Sequence, residues 1–311
     1  MARFLVTGAA GFIGSNLVQA LLEQGEAVRG LDNFLSGKRE NLRGLEPMEF
    51  HEGDIRDPEA CRSACRGVEC VLHQAALGSV PRSVADPLLS NDCNVTGTLN
   101  MLVAARDAHV RRFVFAASSS AYGDTPVLPK VETMPPRPLS PYAITKLVGE
   151  EYCRVFYSLY GLETVALRYF NVFGRRQDPF GAYAAVIPRF AAALLRGEAP
   201  EIYGDGGQTR DFTYIADVVQ ANRKACDAPA EACGRVYNVA CGGRINLNEL
   251  YDEIARLLGS PLRPRYGAPR AGDVRDSLAD ISAARQLLGY DPRYSVAAGL
   301  AEAMEWYRNN L

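Results

Sequence analysis

The feature that most restricts the fold lies at the amino end. A short apolar run, Ala2 to Thr7, opens directly into Gly8-Ala9-Ala10-Gly11-Phe12-Ile13-Gly14, and an amphipathic stretch follows through Leu17, Leu21 and Leu22 to Gly25. This reads as strand, glycine loop, helix. Glycines at such a turn let the backbone approach a pyrophosphate whose charge sits at the helix amino terminus, and the last one allows close packing on the strand. The next strand, Ala27 to Leu31, ends in Asp32 with Asn33 beside it, at the distance where an acidic side chain meets the hydroxyls of an adenine ribose. An acid there repels a 2'-phosphate, so the pattern favours NAD over NADP, with Lys38 and Arg39 as the opposing feature.

The same alternation continues. A strand from Met48 to Glu52 leads to Gly53-Asp54-Ile55, placed to contact adenine, and a strand from Cys70 to His73 leads to Gln74-Ala75-Ala76-Leu77-Gly78-Ser79, small residues that allow close approach of a cofactor or sugar. Pro81 to Pro87 reads as a loop, and Asn91 to Ala108 as a long helix with Val95, Leu99, Leu102 and Val103 at helical spacing. A fifth strand, Arg112 to Ala117, runs into Ser118-Ser119-Ser120-Ala121-Tyr122-Gly123, hydroxyls at the carboxyl end of a central strand where ligands bind in open parallel sheets. With a sixth strand from Glu163 to Arg168, the pattern is that of an α/β protein: a Rossmann-like, doubly wound parallel sheet spanning 1–168. Beyond Tyr169-Phe170-Asn171 shorter segments mark a smaller carboxyl-terminal α/β lobe over 169–311, with a segment near 212–240 expected to pack back on the sheet domain. That lobe holds a helix from Ile187 to Arg196, a capping box of Asn246 and Glu249 opening a helix to Leu258, and a last helix capped by Ser295.

Tyr142-Ala143-Ile144-Thr145-Lys146 places a phenol and an ammonium one helical turn apart. Ser140-Pro141 just upstream is an N-cap followed by proline at the first helical position, so Tyr142 falls in the opening turn, where the helix dipole favours negative charge. A nearby cation and that dipole both favour the phenolate, and the pair is a candidate base with its activating cation.

Composition narrows the classes. At 311 residues and 48% hydrophobic content the chain can bury a large core. A formal charge of -2 gives no general attraction to nucleic acid or an anionic membrane, no apolar run is long enough to span a bilayer, and the start breaks into Thr7-Gly8 without a signal core, so a cytoplasmic location is expected. The eight cysteines match no metal spacing and are expected as free thiols. His73 reads as a packed histidine at a strand end, and neither histidine catalysis nor a metal site is expected.

With these motifs together, the chain resembles the extended short-chain dehydrogenase/reductase family. Within it the chain looks like the nucleotide-sugar 4-epimerases, most of all those acting on UDP-N-acetylglucosamine. Ser118 to Gly123, Arg168 to Gly174, Gly181 to Pro188, Tyr203 to Phe212 and Arg270 to Asp273 carry the resemblance, which covers essentially the whole length. It implies that Tyr142 is the base, that Lys146 binds the nicotinamide ribose and lowers the tyrosine pKa, and that Ser118, with Ser119, holds the sugar O4. It also implies NAD contacts from Gly8, Gly11, Phe12, Ile13, Gly14, Asp32, Asn33, Asp54, Ile55, Gln74, Ala75, Ala76, Asn94 and Tyr169. For the UDP-sugar it implies Gly78, Ser79, Asn171, Ala185, Val186, Tyr203, Arg210, Arg270, Asp273 and Ser277. Hexose-specific relatives carry a tyrosine where this chain has Ser277, and some carry a lysine at Gly78; both departures are similar to enzymes that admit an N-acetyl group. The expected reaction is interconversion of UDP-GlcNAc and UDP-GalNAc, with UDP-glucose and UDP-galactose also admitted, and a UDP-uronic acid 4-epimerase as the alternative. Dehydratases and decarboxylases resembling this fold carry acids where this chain has Ser119 and Ser120, which disfavours elimination. A non-catalytic NAD-binding sensor would typically lack the Tyr142/Lys146 pair. A homodimer is implied by the family and by long helices from Asn91 and Tyr142 that have more apolar residues than one face needs.

Overall fold

The six apolar runs of the first half become strands β1 (Phe4–Thr7), β2 (Val28–Asp32), β3 (Glu49–Glu52), β4 (Cys70–His73), β5 (Arg112–Ser118) and β6 (Glu163–Tyr169). The computed structural model describes residues 3–181, 184–269 and 274–311. All six strands pair in parallel, and Arg235–Val239 adds a seventh at the β6 edge, giving the order Arg235–Val239, β6, β5, β4, β1, β2, β3. The chain winds outward from β1 to β3, then resumes at β4 on the other side of β1. At that reversal the carboxyl ends of neighbouring strands feed connections to opposite faces and leave a crevice between them, the usual ligand site of such sheets. Thr7 and His73 are paired at that point.

Helices cover both faces, which is why the strands read as continuous apolar runs. Phe4 and Val6 enter one core with Leu17, Val18 and Leu21 of α1 (Phe12–Glu23), while Leu5 enters the other, beneath α2 (Pro58–Cys65), α5 (Gly97–Asp107) and α6 (Pro141–Tyr160). Two expectations change here. The stretch Pro81 to Pro87 is not a loop but two short helices, α3 (Val80–Ala85) and α4 (Pro87–Asn91). Their prolines sit in first turns, where no N–H is needed, and Ser79 and Asp86 cap them through Arg82 N at 3.2 Å and Leu89 N at 2.9 Å. The long helix expected from Asn91 is continuous with α4, and a π-turn at Asp92–Thr96 interrupts it before α5. Strands β5 and β6 each run one residue further than expected because Ser118 pairs with Tyr169.

The later chain supplies α7 (Val186–Leu195), α8 (Ile215–Cys226), α9 (Leu247–Leu258), α10 (Ser282–Leu288) and α11 (Val296–Asn310). The capping box at Asn246 and Glu249 and the Ser295 cap are both present. Helix α8 packs on α1, and the edge strand Arg235–Val239 belongs to the main sheet. Small strand pairs hold the rest: Glu201–Tyr203 with Arg265–Gly267, and Thr209–Arg210 with Ile245–Asn246. Among the described residues, no helix is long and apolar enough to cross a membrane.

Candidate active site

A cleft of about 550 Å³ opens beyond the carboxyl ends of β1, β2 and β4, lined by Gly8, Gly11, Asp32, Asn33, Asp54, Ile55, Gln74, Ala75 and Ala76. Its floor admits no side chains. A Cβ on Gly8 (φ +67) would lie 2.8 Å from Ala75 N, and one on Gly14 would lie 1.9 Å from Gly8 O. Phe12, Ile13 and Gly14 form the first turn of α1, whose amino end holds unpaired N–H groups, a cradle that fits a dinucleotide pyrophosphate. Asp32 is fixed by Ala10 N at 2.9 Å and Phe34 N at 2.8 Å, and burial pushes its carboxyl up from the ordinary value against those bonds. Asn33 Nδ2 donates to Asp54 Oδ2 at 2.7 Å, and Arg56 holds Asp54 down at about 2. The two cations that weighed toward NADP are engaged elsewhere: Lys38 with Asp178 at 2.9 Å and Arg39 with Glu52 at 2.8 Å.

Deeper in, the Tyr169 hydroxyl meets Gln74 Oε1 at 3.3 Å and Asn222 Oδ1 at 3.0 Å. Asn94 stands in the π-turn, accepting from Leu77 N at 2.8 Å and donating to Thr145 Oγ1 at 3.0 Å. The helical irregularity thus ties the loop after β4 to α6. Gly78 has open space around its Cβ position, and the Ser79 hydroxyl accepts the α3 capping bond.

Helix α6 begins as expected, with Ser140 Oγ accepting Ala143 N at 3.2 Å. The Tyr142 N–H donates to Ser83 Oγ at 3.0 Å, and the Ser118 side chain acts on the phenol, favouring its ionised form. Ser118 Oγ also accepts from Ser120 Oγ at 2.9 Å, and Ser119 opens the one-turn helix after β5. Lys146, 5% exposed, donates to Ala116 O at 2.7 Å. One expectation needs correction. The surrounding protein groups alone do not draw the Tyr142 phenol below its ordinary value: burial raises it, Ser118 offsets part of that, and the Lys146 ammonium is committed to a carbonyl of β5. Burial also lowers Lys146, to about 8, with Glu150 opposing.

A second cleft of about 990 Å³ is lined by Asn171, Ala185, Val186, Tyr203 and Arg210, together with Pro81, Gln177, Arg189 and Gln208. Asn171 (φ 36) donates to Asp211 O at 2.9 Å and reaches Ser277 Oγ at 3.5 Å, which brings Ser277 to the same wall. The expected Arg270 and Asp273 lie outside the described residues. Sequence reasoning missed Arg189, whose guanidinium sits 5.3 Å from the Tyr203 ring centroid, and Gln208, whose Nε2 donates to Tyr203 O at 2.8 Å. The signal for Arg189 was its place one turn into α7 after Ala185 and Val186.

His73 is a packed residue, bonded to Thr7 Oγ1 at 2.8 Å and Thr98 Oγ1 at 3.1 Å, and burial pushes its pKa down to about 3. All eight cysteines are free thiols.

A parallel sheet with a glycine cradle at its switch point, an acid at the end of β2 and a Tyr/Lys pair on a neighbouring helix defines a dinucleotide-dependent enzyme working on hydroxyl or carbonyl groups. Residues 4–240 match the model of the NAD dependent epimerase/dehydratase family. The chain belongs to that family, and its cofactor is NAD. It is 43% identical to a UDP-glucose 4-epimerase of Mycolicibacterium smegmatis, over 99% of both chains. A UDP-glucuronate 4-epimerase of Thermodesulfobacterium geofontis is 34% identical, over 100% of this chain and 98% of the other. Among solved structures, the UDP-N-acetylglucosamine 4-epimerase of Methanobrevibacter ruminantium, in complex with UDP-N-acetylmuramic acid, superposes with a TM-score of 0.95 at 38% identity, covering 100% of this chain and 99% of that one.

Proposed function

We propose that this chain is a UDP-sugar 4-epimerase that prefers UDP-GlcNAc and UDP-GalNAc, and that it also turns over UDP-glucose and UDP-galactose. The observation that carries this reading is the Tyr142/Lys146 pair one turn apart on α6, acted on by Ser118 and anchored toward both clefts. Tyr142 binds Ser83 close to Pro81 of the second cleft, and Lys146 binds β5 next to the strand that feeds the first. Tyr142 takes the proton from O4 as hydride leaves C4, giving a 4-keto sugar, and returns it after that sugar has turned over. NAD, held by the Gly8–Gly14 turn, Asp32 and Asn33, would supply the acceptor and the donor for that hydride. Ser118 orients O4, and Lys146 binds the nicotinamide ribose and supplies the positive charge that a phenolate needs beyond what Ser118 provides. Asn171, Ala185, Val186, Tyr203 and Arg210 grip the UDP, with Arg270 and Asp273, so that the sugar is free to rotate. Ser277 leaves room for the acetamido group. No carboxylate occupies positions 119 or 120, which supports epimerisation over elimination.

The test is to incubate the protein with UDP-GlcNAc, UDP-glucose and UDP-glucuronate separately and follow the anomeric and H4 signals by NMR, with Tyr142→Phe as control. UDP-GalNAc forming fastest supports the reading. Turnover of the uronic acid alone would replace the substrate, and activity unchanged in Tyr142→Phe would overturn the assignment of the base.

A further inference from the structure

Four residues past Lys146, one turn along the same face of α6, a second charge is buried. Glu150 receives a bidentate guanidinium, Arg168 Nε to Oε1 at 2.9 Å and Nη2 to Oε2 at 2.7 Å, with side-chain exposures of 6% and 4%. Arg168 lies 4.5 Å from the centroid of the Tyr122 ring, and Tyr122 ends the turn that begins at Ser118. The pair therefore spans from the helix bearing Tyr142 and Lys146 to the turn bearing the serines. Stability is a poor explanation for it, because removing two charges from water costs as much as their attraction returns, and Arg168 Nη1 is left without a hydrogen-bond partner.

We propose that Glu150 is a positioning residue for this reaction, its carboxylate, braced by Arg168, serving as the counter-charge of the Lys146 ammonium. The inference rests on the role given to Lys146 above. That ammonium is buried with a carbonyl oxygen as its hydrogen-bond acceptor and the Phe115 ring 5.1 Å away. The other titratable groups facing it are neutral: Tyr142 and the Cys153 thiol on α6, both pushed up by burial, and His73 from β4, held uncharged. Glu150 is the anion acting on it. A lone buried lysine would shed its proton near neutral pH. Burial pushes the Glu150 carboxyl up from its ordinary value, and the Arg168 guanidinium opposes that. Together Lys146, Glu150 and Arg168 leave one surplus positive charge, on the helix turn that follows Tyr142.

The chain has four lysines, Lys38, Lys130, Lys146 and Lys224, so each Nζ can be followed by NMR in protein labelled with 13Cε-lysine, with Lys146→Met identifying the signal. In Glu150→Gln, which keeps the size and an acceptor for Arg168, the Lys146 titration should move down by about one pH unit, and the alkaline limb of the kcat profile with it. Activity at about pH 8.5 should then fall roughly tenfold while activity near about pH 6.5 changes far less. Glu150→Asp should restore the profile. If Glu150→Gln does not fold, the double variant Glu150→Gln with Arg168→Gln, which buries no uncompensated guanidinium, should move the lysine titration in the same direction. A lysine titration that stays in place, with activity lost equally at every pH alongside a lower melting temperature, would overturn the proposal and leave a structural pair. Should the wild-type chain epimerise nothing, the assigned reaction fails, while the lysine titration still decides the role of Glu150.

Discussion

On the proposed function, Ser277 sets the substrate range by the size of one side chain. Its hydroxyl lies 3.5 Å from Asn171 Nδ2, and its N–H donates to Thr209 O at 3.1 Å, so its backbone is fixed and the space beyond its Cβ is decided by residue size. Ser277→Tyr should fill that space. The ratio of kcat/KM for UDP-GlcNAc to that for UDP-glucose should fall by roughly tenfold or more, because rejecting a larger ligand by overlap discriminates better than losing contact with a smaller one. Steady-state rates on the two sugars check this, and an unchanged ratio would remove Ser277 from the pocket. At this scale sequence was informative wherever spacing is local. Tyr142 and Lys146 are four apart on one helix, and Ser140 announces its start. Glu150 is also four from Lys146, but the same spacing describes any exposed helix pair. Its partner Arg168 is on β6, a contact that exists only once the sheet has formed. The rise in the Tyr142 pKa stayed hidden for a related reason: its cause is burial, which exists only once the chain has packed.

The elements were legible where periodicity and end signals agreed. Strands β1, β2, β4, β5 and β6 appeared because both faces are buried, and the helices at Asn246 and Ser295 because their caps are side chains. What stayed hidden was set by competing signals. Pro81 and Pro87 read as breakers although Ser79 and Asp86 make them first-turn residues, and nothing in Asp92–Thr96 marks a π-turn. The glycine turn also makes the sharpest prediction about an element. Gly14→Ala drives a methyl into Gly8 O, a backbone atom that cannot swing aside, so the turn must open and α1 must lift from β1. We expect NAD binding, read by calorimetry, to weaken by more than about tenfold and the melting temperature to drop by several degrees. Gly78→Ala, facing open space, should leave the melting temperature unchanged. Equal behaviour of the two variants would contradict the cradle.

At the scale of the whole molecule, His73 makes a definite contribution to acid sensitivity. Its pKa lies at about 3 in the folded chain, whereas an unfolded histidine titrates near pH ~6.5, so below that pH the unfolded chain binds the extra proton. The stability associated with neutral His73 is complete above about pH 6.5 and is lost progressively as pH falls toward 3. At about pH 4.5 the loss is roughly 2 to 3 kcal/mol. Urea unfolding at about pH 7.5 and pH 4.5 should show that gap shrink in His73→Gln, whose amide can still bridge Thr7 and Thr98 without titrating. The same slope in both proteins would place the acid sensitivity elsewhere.

Assembly belongs to this scale too. On the outer faces of α5 and α6, Val103 and Tyr152 are half-buried, as are Leu99 and Val148, and Leu159 at the end of α6 is 68% exposed. Leu102 is fully buried, and Leu99, Val103 and Tyr152 pack on the same core while keeping part of their apolar surface open. An outward apolar row on two adjacent helices is what an isologous contact needs, since a two-fold axis brings the same pair from a second copy against it. We therefore expect a homodimer, sedimenting at twice the 33.9 kDa chain mass. Leu99→Glu should convert it to a monomer, because two copies of the carboxylate would be buried near the axis without partners, while in a single chain the side chain still reaches water. Wild-type protein that sediments as a monomer, or a variant that sediments as a dimer, would remove α5 and α6 as the contact. A monomeric variant that retains full activity would show that the site is completed within one chain.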